Sequence, residues 1–443
     1  MRMFRHNCLI LVLLAAAPLW SQEDTNATAS GSQDEYRMVT PPPVSGAAYP
    51  METASESRSN YLLGGLTFNT TYTDNVLEGG STKPISDVSY SIWPSITLDQ
   101  VTPRLHSDLT YSPGFTFYQH TSSYNQANQN VGIDFRYRLS PHVTLTVVDS
   151  LHKLSNVFNQ PDLLAATPVS GSAQAPTLGV VTLADQLNNT GNVGLTYQFS
   201  RDAMVGANGT FTNFIYFNTT PSLGLYDSAT RGGSVFYSYR LAKKQYLGAT
   251  YLYQQILAYP TGEQSETRTQ TGFVFYTVYL RPTLSMSFSG GPQHYDIVQP
   301  LPASQNWSPA GTASLYWQAR HTALSGSYSR MVSGGGGLVG AYHTNNAAGS
   351  LRQQVTRNWN AGVAGAYSIF KTLDPAQSLF RNGGHTLTGS ASLQRKLGQH
   401  FLAELGYTRI HQSYNDIPAV SAFPNANREW VSISYHFAHP LGR

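Results

Sequence analysis

Cysteine occurs once in the 443 residues, at Cys8. A chain with one thiol can build no internal disulfide framework and, if that thiol lies in a removed leader, no thiol chemistry either. Charge is also scarce. Asp, Glu, Lys and Arg together make up 12% of the chain, about half the usual quarter. Long hydrophobic runs are missing too. Beyond the first 20 residues no apolar stretch reaches the roughly 18 residues that a membrane-spanning helix requires. Mean hydropathy is -0.26, which excludes a helical membrane bundle. Arg2 and Arg5 fall in the leader, so 27 − 2 = 25 basic side chains face 24 acidic ones. That balance gives no reason to expect nucleic acid as a partner.

Catalytic signatures are equally absent. There is no G-x-S-x-G turn, no phosphate-binding loop and no H-E-x-x-H. The 13 histidines are scattered: His294, His321, His343, His385, His400, His411, His436 and His439 show no ligand spacing. The chain is therefore read as a non-enzyme without cofactor. Gly334-Gly335-Gly336-Gly337 lacks the Lys and the strand–helix context of a phosphate site, and is expected to be a flexible external loop. Asp74-Asn75 could ligate Ca²⁺, but a turn-forming pair is the commoner use of these residues.

What the chain does contain is tyrosine (28 residues), glycine (38) and many small polar side chains. The first 21 residues have the three parts of a secretory signal. Arg2, Arg5 and His6 are followed by Leu9–Leu14 and Ala15–Ala17, with a cut expected near Ser21/Gln22. Cys8 precedes the apolar core with no lipobox. Residues 22–60 are polar and Pro-interrupted, too poor in apolar surface to offset their ordering entropy, and are expected to form a disordered periplasmic leader.

From Tyr61 the pattern changes. Val131-Gly-Ile133-Asp-Phe135-Arg-Tyr137-Arg-Leu139 alternates apolar and polar residues, the period of a strand with one oily and one wet face. Similar stripes recur to Phe437. They predict about 18 strands, with 16 as the alternative count, starting near Tyr61, Asp87, Pro103, Ala127, His142, Asn188, Ala203, Ser228, Lys244, Thr267, Pro282, Asn306, Thr322, Asn345, Asn358, Gly384, His400 and Asn427. Connections alternate short and long. The short ones, such as Ser140-Pro141 and Arg320-His321, are rich in basic residues. The long ones include Thr73–Ser86, Asn156–Leu187 and Gly334–Thr344. Short turns at one end and long loops at the other characterise membrane barrels. The expected fold is all-β: a transmembrane antiparallel up-and-down barrel over residues 61–437, with a tail at 438–443, both mature ends periplasmic, in the outer membrane.

Two stretches carry a family resemblance. Val431-Ser-Ile433-Ser-Tyr435-His-Phe437 looks like the C-terminal signal that barrel-assembly machinery reads, although six residues follow Phe437. Tyr72-Thr73-Asp74-Asn75, then Pro94-Ser-Ile96-Thr-Leu98, is similar to the outer-membrane β-barrel porin family linked to exopolysaccharide gene systems. That resemblance implies location and shape but no defined activity.

With apolar residues assigned to lipid, the inward set includes Asp134, Arg136, Gln198, Arg240, Gln318, Glu404 and His436. This neutral, hydrogen-bonding set suits small polar solutes or saccharides rather than one ion. The expected function is a passive channel; the alternative is a non-channel surface protein in exopolysaccharide export, adhesion or envelope structure. The longest connection, with Asn156, Gln160, Asp162 and Asp185, is expected to fold inward and narrow the lumen, as the third external loop does in general porins. The expected partners are outer-membrane lipid, the assembly machinery and small polar solutes. The sequence leaves solute identity and oligomeric state open.

Overall fold

The computed structural model describes residues 59–76, 83–154, 184–217, 225–260, 264–281, 283–299, 303–336, 338–373, 383–415 and 424–441. Eighteen strands run through them: β1 (Ser59–Thr73), β2 (Asp87–Val101), β3 (Leu105–Tyr118), β4 (Gln126–Arg138), β5 (Val143–Leu154), β6 (Gln186–Gln198), β7 (Ala203–Tyr216), β8 (Asp227–Ala242) and β9 (Gln245–Tyr259). The second half comprises β10 (Ser265–Arg281), β11 (Leu284–Gln299), β12 (Ser304–Gln318), β13 (Thr322–Gly335), β14 (Leu338–Gln354), β15 (Trp359–Thr372), β16 (Gly384–Leu397), β17 (Phe401–Tyr414) and β18 (Asn425–Pro440). Each pairs antiparallel with its sequence neighbour, and β18 returns to β1 from Tyr61↔Pro440 to Thr73↔Arg428. The sheet is therefore closed and has no edge.

Closure follows from the alternation. A strand with one apolar face must bury or lipidate that face, and a closed ring pairs every backbone group without water. The outward positions are apolar along the whole ring. Leu66 and Phe68 on β1, Ile92 and Ile96 on β2, Val235 and Tyr237 on β8, and Val431 and Ile433 on β18 are all exposed. On β1 the outward set runs from Leu62 to Tyr72. Those ten steps span about 33 Å along the strand, or about 25 Å along the axis at a tilt of roughly 40°. That matches the apolar band of an outer-membrane barrel. Aromatic rings collect at its short-turn border. Phe199 lies 6.4 Å from Tyr237, and Tyr435 lies 5.2 Å from Phe401 and 6.4 Å from Phe437. Arg395 sits 5.2 Å over the Trp359 ring at the same level. Among the described residues no helix is long and apolar enough to cross a membrane.

Most predicted strand starts fall within two or three residues of the observed ones. The exception is β14, which begins at Leu338 rather than near Asn345. The predicted long loop Gly334–Thr344 does not exist. β13 runs to Gly335 and β14 starts at Leu338, so the two strands form a tight hairpin in place of a long loop. Leu338, Ala341 and Tyr342 are buried on both faces of their strand. That removes the one-sided periodicity by which strands are recognised.

Candidate functional site: the lumen

Directly paired residues of antiparallel strands share a face, so the register identifies the inner wall. It is lined by hydroxyls that bond sideways from strand to strand. Thr67 pairs with Ser434 at 2.8 Å, Thr97 with Thr110 at 3.0 Å, Thr277 with Ser287 at 2.9 Å, Ser289 with Thr312 at 2.6 Å and Ser325 with Ser350 at 2.7 Å. These bonds satisfy short polar side chains without placing charge in the barrel.

The wall is not uniform. On β8–β10 the inward face carries aromatic rings among its hydroxyls. Met204, Phe236 and Tyr246 cluster with Tyr279, and Phe273 packs with Leu252. Tyr246 meets Tyr279 edge-on at 6.0 Å, and the Arg240 guanidinium lies 5.8 Å from the Tyr246 ring. The sequence from Phe273 to Leu280 reads as apolar on both faces because one face meets lipid and the other lines this wall. Glycine makes room for the rings: a Cβ at Gly248 would come 2.3 Å from the Phe275 ring, and one at Gly114 would come 2.4 Å from Trp93.

The seven inward candidates occupy one level. Asp134 pairs with Asp108 and Arg136 with His106. Gln198 pairs with Met204, Gln318 with Ala323 and His436 with Gly65. Glu404 accepts a hydrogen bond from Gln394 Nε2 at 3.0 Å, and Arg240 stands beside Tyr246. All seven lie near the short-turn mouth, not around the opposite mouth. Of the expected loop residues, Asn156, Gln160 and Asp162 lie outside the described residues. Asp185 precedes β6, where its carbonyl accepts the Phe217 N–H at 2.7 Å. Val431, Ile433, Tyr435 and Phe437 all face outward on β18, at the closing seam. The strand continues past Phe437 to Pro440, and the Leu441 N–H bonds to the Asn60 carbonyl at 2.8 Å.

At the long-loop rim two carboxylates act as clasps. Asp74 accepts the Asn427 N–H at 2.7 Å and its Nδ2 at 2.6 Å, while the Asn75 Nδ2 donates to the Asn425 carbonyl at 3.2 Å. The Asp-Asn pair therefore holds β1 to β18. No group of potential metal ligands occurs among the described residues. Asp87 accepts from the Thr121 N–H at 2.8 Å, the Thr121 hydroxyl at 2.6 Å and the His120 N–H at 3.1 Å. Burial alone would raise its pKa, but the bonds from Thr121 and His120 outweigh it and hold the carboxyl down at about 2.

The sequence reading missed one element of the lumen. The tip of the β13–β14 hairpin does not stand above the rim but packs against inner-wall residues. The Tyr216 hydroxyl on β7 donates to the Gly336 carbonyl at 2.9 Å. Gln293 on β11 grips the backbone of Val332, accepting its N–H at 2.7 Å and donating to its carbonyl at 3.4 Å. The only sequence signal for this packing was the apolar Leu338-Val339 after four glycines.

A closed ring with an apolar belt outside and a hydroxyl-lined wall inside is a transmembrane β-barrel. No family model and no curated protein matches the chain. Among solved structures it is similar to OccK2 (OpdF) of Pseudomonas aeruginosa, determined in complex with glucuronate, at 9% identity, 85% of this chain, 98% of that chain and a TM-score of 0.43. It is similar also to OpdK of the same organism, determined with vanillate (9%, 85%, 99%, 0.40), and to OccAB4 of Acinetobacter baumannii (11%, 86%, 99%, 0.41).

Proposed function

We propose that the protein is a passive, porin-like outer-membrane channel for small polar or saccharide solutes, and not an enzyme. The observation that carries this reading is the closed ring of 18 strands. At a strand spacing of about 4.8 Å and a tilt of about 40°, 18 strands give a backbone radius of about 18 Å. Inward side chains cannot reach across such a width, so the ring encloses space for solute.

The wall chemistry supports the solute class. Hydroxyls exchange hydrogen bonds with polyols at little net cost. In this reading residues 1–21 are the export signal, the short-turn end and both barrel termini face the periplasm, and β18 presents Tyr435 and Phe437 to the assembly machinery. The long connection Asn156–Leu187 folds inward and narrows the lumen in the same reading, a proposal that rests on the sequence.

Liposome swelling with sugars of graded size tests the channel. Swelling should fall off with solute size. A folded, heat-modifiable barrel that admits no sugar would sink the reading.

A further inference from the structure

The β13–β14 hairpin tip has left the wall. β12 pairs with β13 only from Gly311↔Arg330 to Gln318↔Ala323, although β12 itself continues outward to Ser304. Beyond Arg330, β13 therefore no longer follows its neighbour. A strand that stays in a barrel wall keeps one face toward lipid or water. Here Val332 and Leu338 are completely buried, and Tyr342 is 1% exposed.

The partners show where the tip goes. Val332 and Ala341 pack with Ile256 of β9 and Tyr295 of β11, and both partners face inward. Leu338 and Tyr342 pack with Phe370 of β15 and Tyr414 of β17. Gly336 is bonded to Tyr216 of β7. β7 and β13 stand six places apart in the ring, and in a round barrel of this size their backbones would be on the order of 30 Å apart. Contact between them requires the hairpin to cross the lumen at the long-loop mouth.

The glycines fit that placement. Gly336 and Gly340 have φ of 59° and 92°, a backbone that other residues rarely adopt. A Cβ on Gly335 would lie 2.6 Å from the Leu338 Cβ and 2.7 Å from the Tyr342 ring. Gly335, Gly336 and Gly340 are thus required by the packing and backbone of the tip.

We propose that the β13–β14 hairpin sets the aperture of the channel. The proposal rests on the channel reading above, and two measurements separate their failures. The first needs no conduction. A Cβ on Gly334 would lie 3.3 Å from the Thr230 hydroxyl on β8, within disulfide reach. The pair Gly334→Cys with Thr230→Cys should cross-link on mild oxidation of the folded barrel, read by mass spectrometry. Failure to cross-link would place the tip elsewhere and overturn the proposal.

The second measurement replaces Gly334–Ala341 with Asn-Gly. Single-channel conductance in planar bilayers should rise at least twofold, with heat-modifiable migration confirming the fold. Unchanged conductance of a folded variant overturns the proposal. So does silence of both proteins, which sinks the channel reading at the same time even if the disulfide forms. A silent natural protein beside a conducting variant supports the hairpin as the obstruction.

Discussion

Asp87 is the first residue of β2, beyond the apolar belt, and its buried carboxylate holds the segment after β3 through His120 and Thr121. Because its folded pKa is depressed from 3.8 to about 2, the stabilisation is complete above about pH 4 and is lost as pH falls through 2. Water at the rim screens the effect, leaving about 1–2 kcal/mol. Asp87→Asn should raise amide exchange at His120 and Thr121 about tenfold at neutral pH, measured by hydrogen exchange; unchanged exchange would remove Asp87 from this role. Asp74 makes the parallel case at the seam. Asp74→Ala removes two charge-assisted bonds to Asn427, worth about 1.5–3 kcal/mol together. A double-mutant cycle with Asn427→Ala should show coupling of at least about 1 kcal/mol in denaturant unfolding. Additive effects would mean that the clasp is incidental.

At the scale of the element, the seam of β1 and β18 shows how a glycine and an aromatic share one space. The Phe437 ring lies over Gly64, where a Cβ would come within 2.2 Å of it. Gly64→Val should displace the ring and lower the heat-modifiable fraction, and adding Phe437→Ala should restore part of it. Failure of that rescue would show that the introduced valine harms β1 itself. The strands were legible because lipid imposes strict period two on their outer face: Val131, Ile133 and Phe135 need no tertiary knowledge to be read. The β13–β14 tip was not legible, because Leu338, Ala341 and Tyr342 are buried on both faces and alternation disappears. The inward residues chosen from sequence were those beside the short basic turns, where charge makes polarity conspicuous. Most buried inner residues toward the other mouth are neutral, such as Ser91, Thr116 and Asn128, and resemble any solvated strand face; Asp87 and Arg428 are charged exceptions.

At the scale of the whole molecule, the inward charges are of both signs, with an excess of carboxylates on β2–β4 and of arginines across the ring. Three inward carboxylates on β2–β4 stand side by side, with Asp99 paired to Asp108 and Asp108 to Asp134, and Arg136 of β4 beside them offsets part of their charge. Arg240 and Arg352 take inward positions on β8 and β14, paired with Tyr246 and Gly362. A lumen with one sign all round concentrates counter-ions and selects them; opposed sectors largely cancel along the axis and leave a transverse field. The natural channel should therefore discriminate weakly between K⁺ and Cl⁻. Removing one sector breaks the cancellation. The triple variant Asp99→Asn, Asp108→Asn, Asp134→Asn should lower the K⁺/Cl⁻ permeability ratio several-fold in reversal-potential measurements. The change should be larger at 0.1 M than at 1 M salt, because the screening length shrinks from about 10 Å to about 3 Å. A ratio that does not move at low salt would mean that ions do not pass along β2–β4. The conducting path would then lie away from β2–β4, toward the opposite side of the ring at β11–β13.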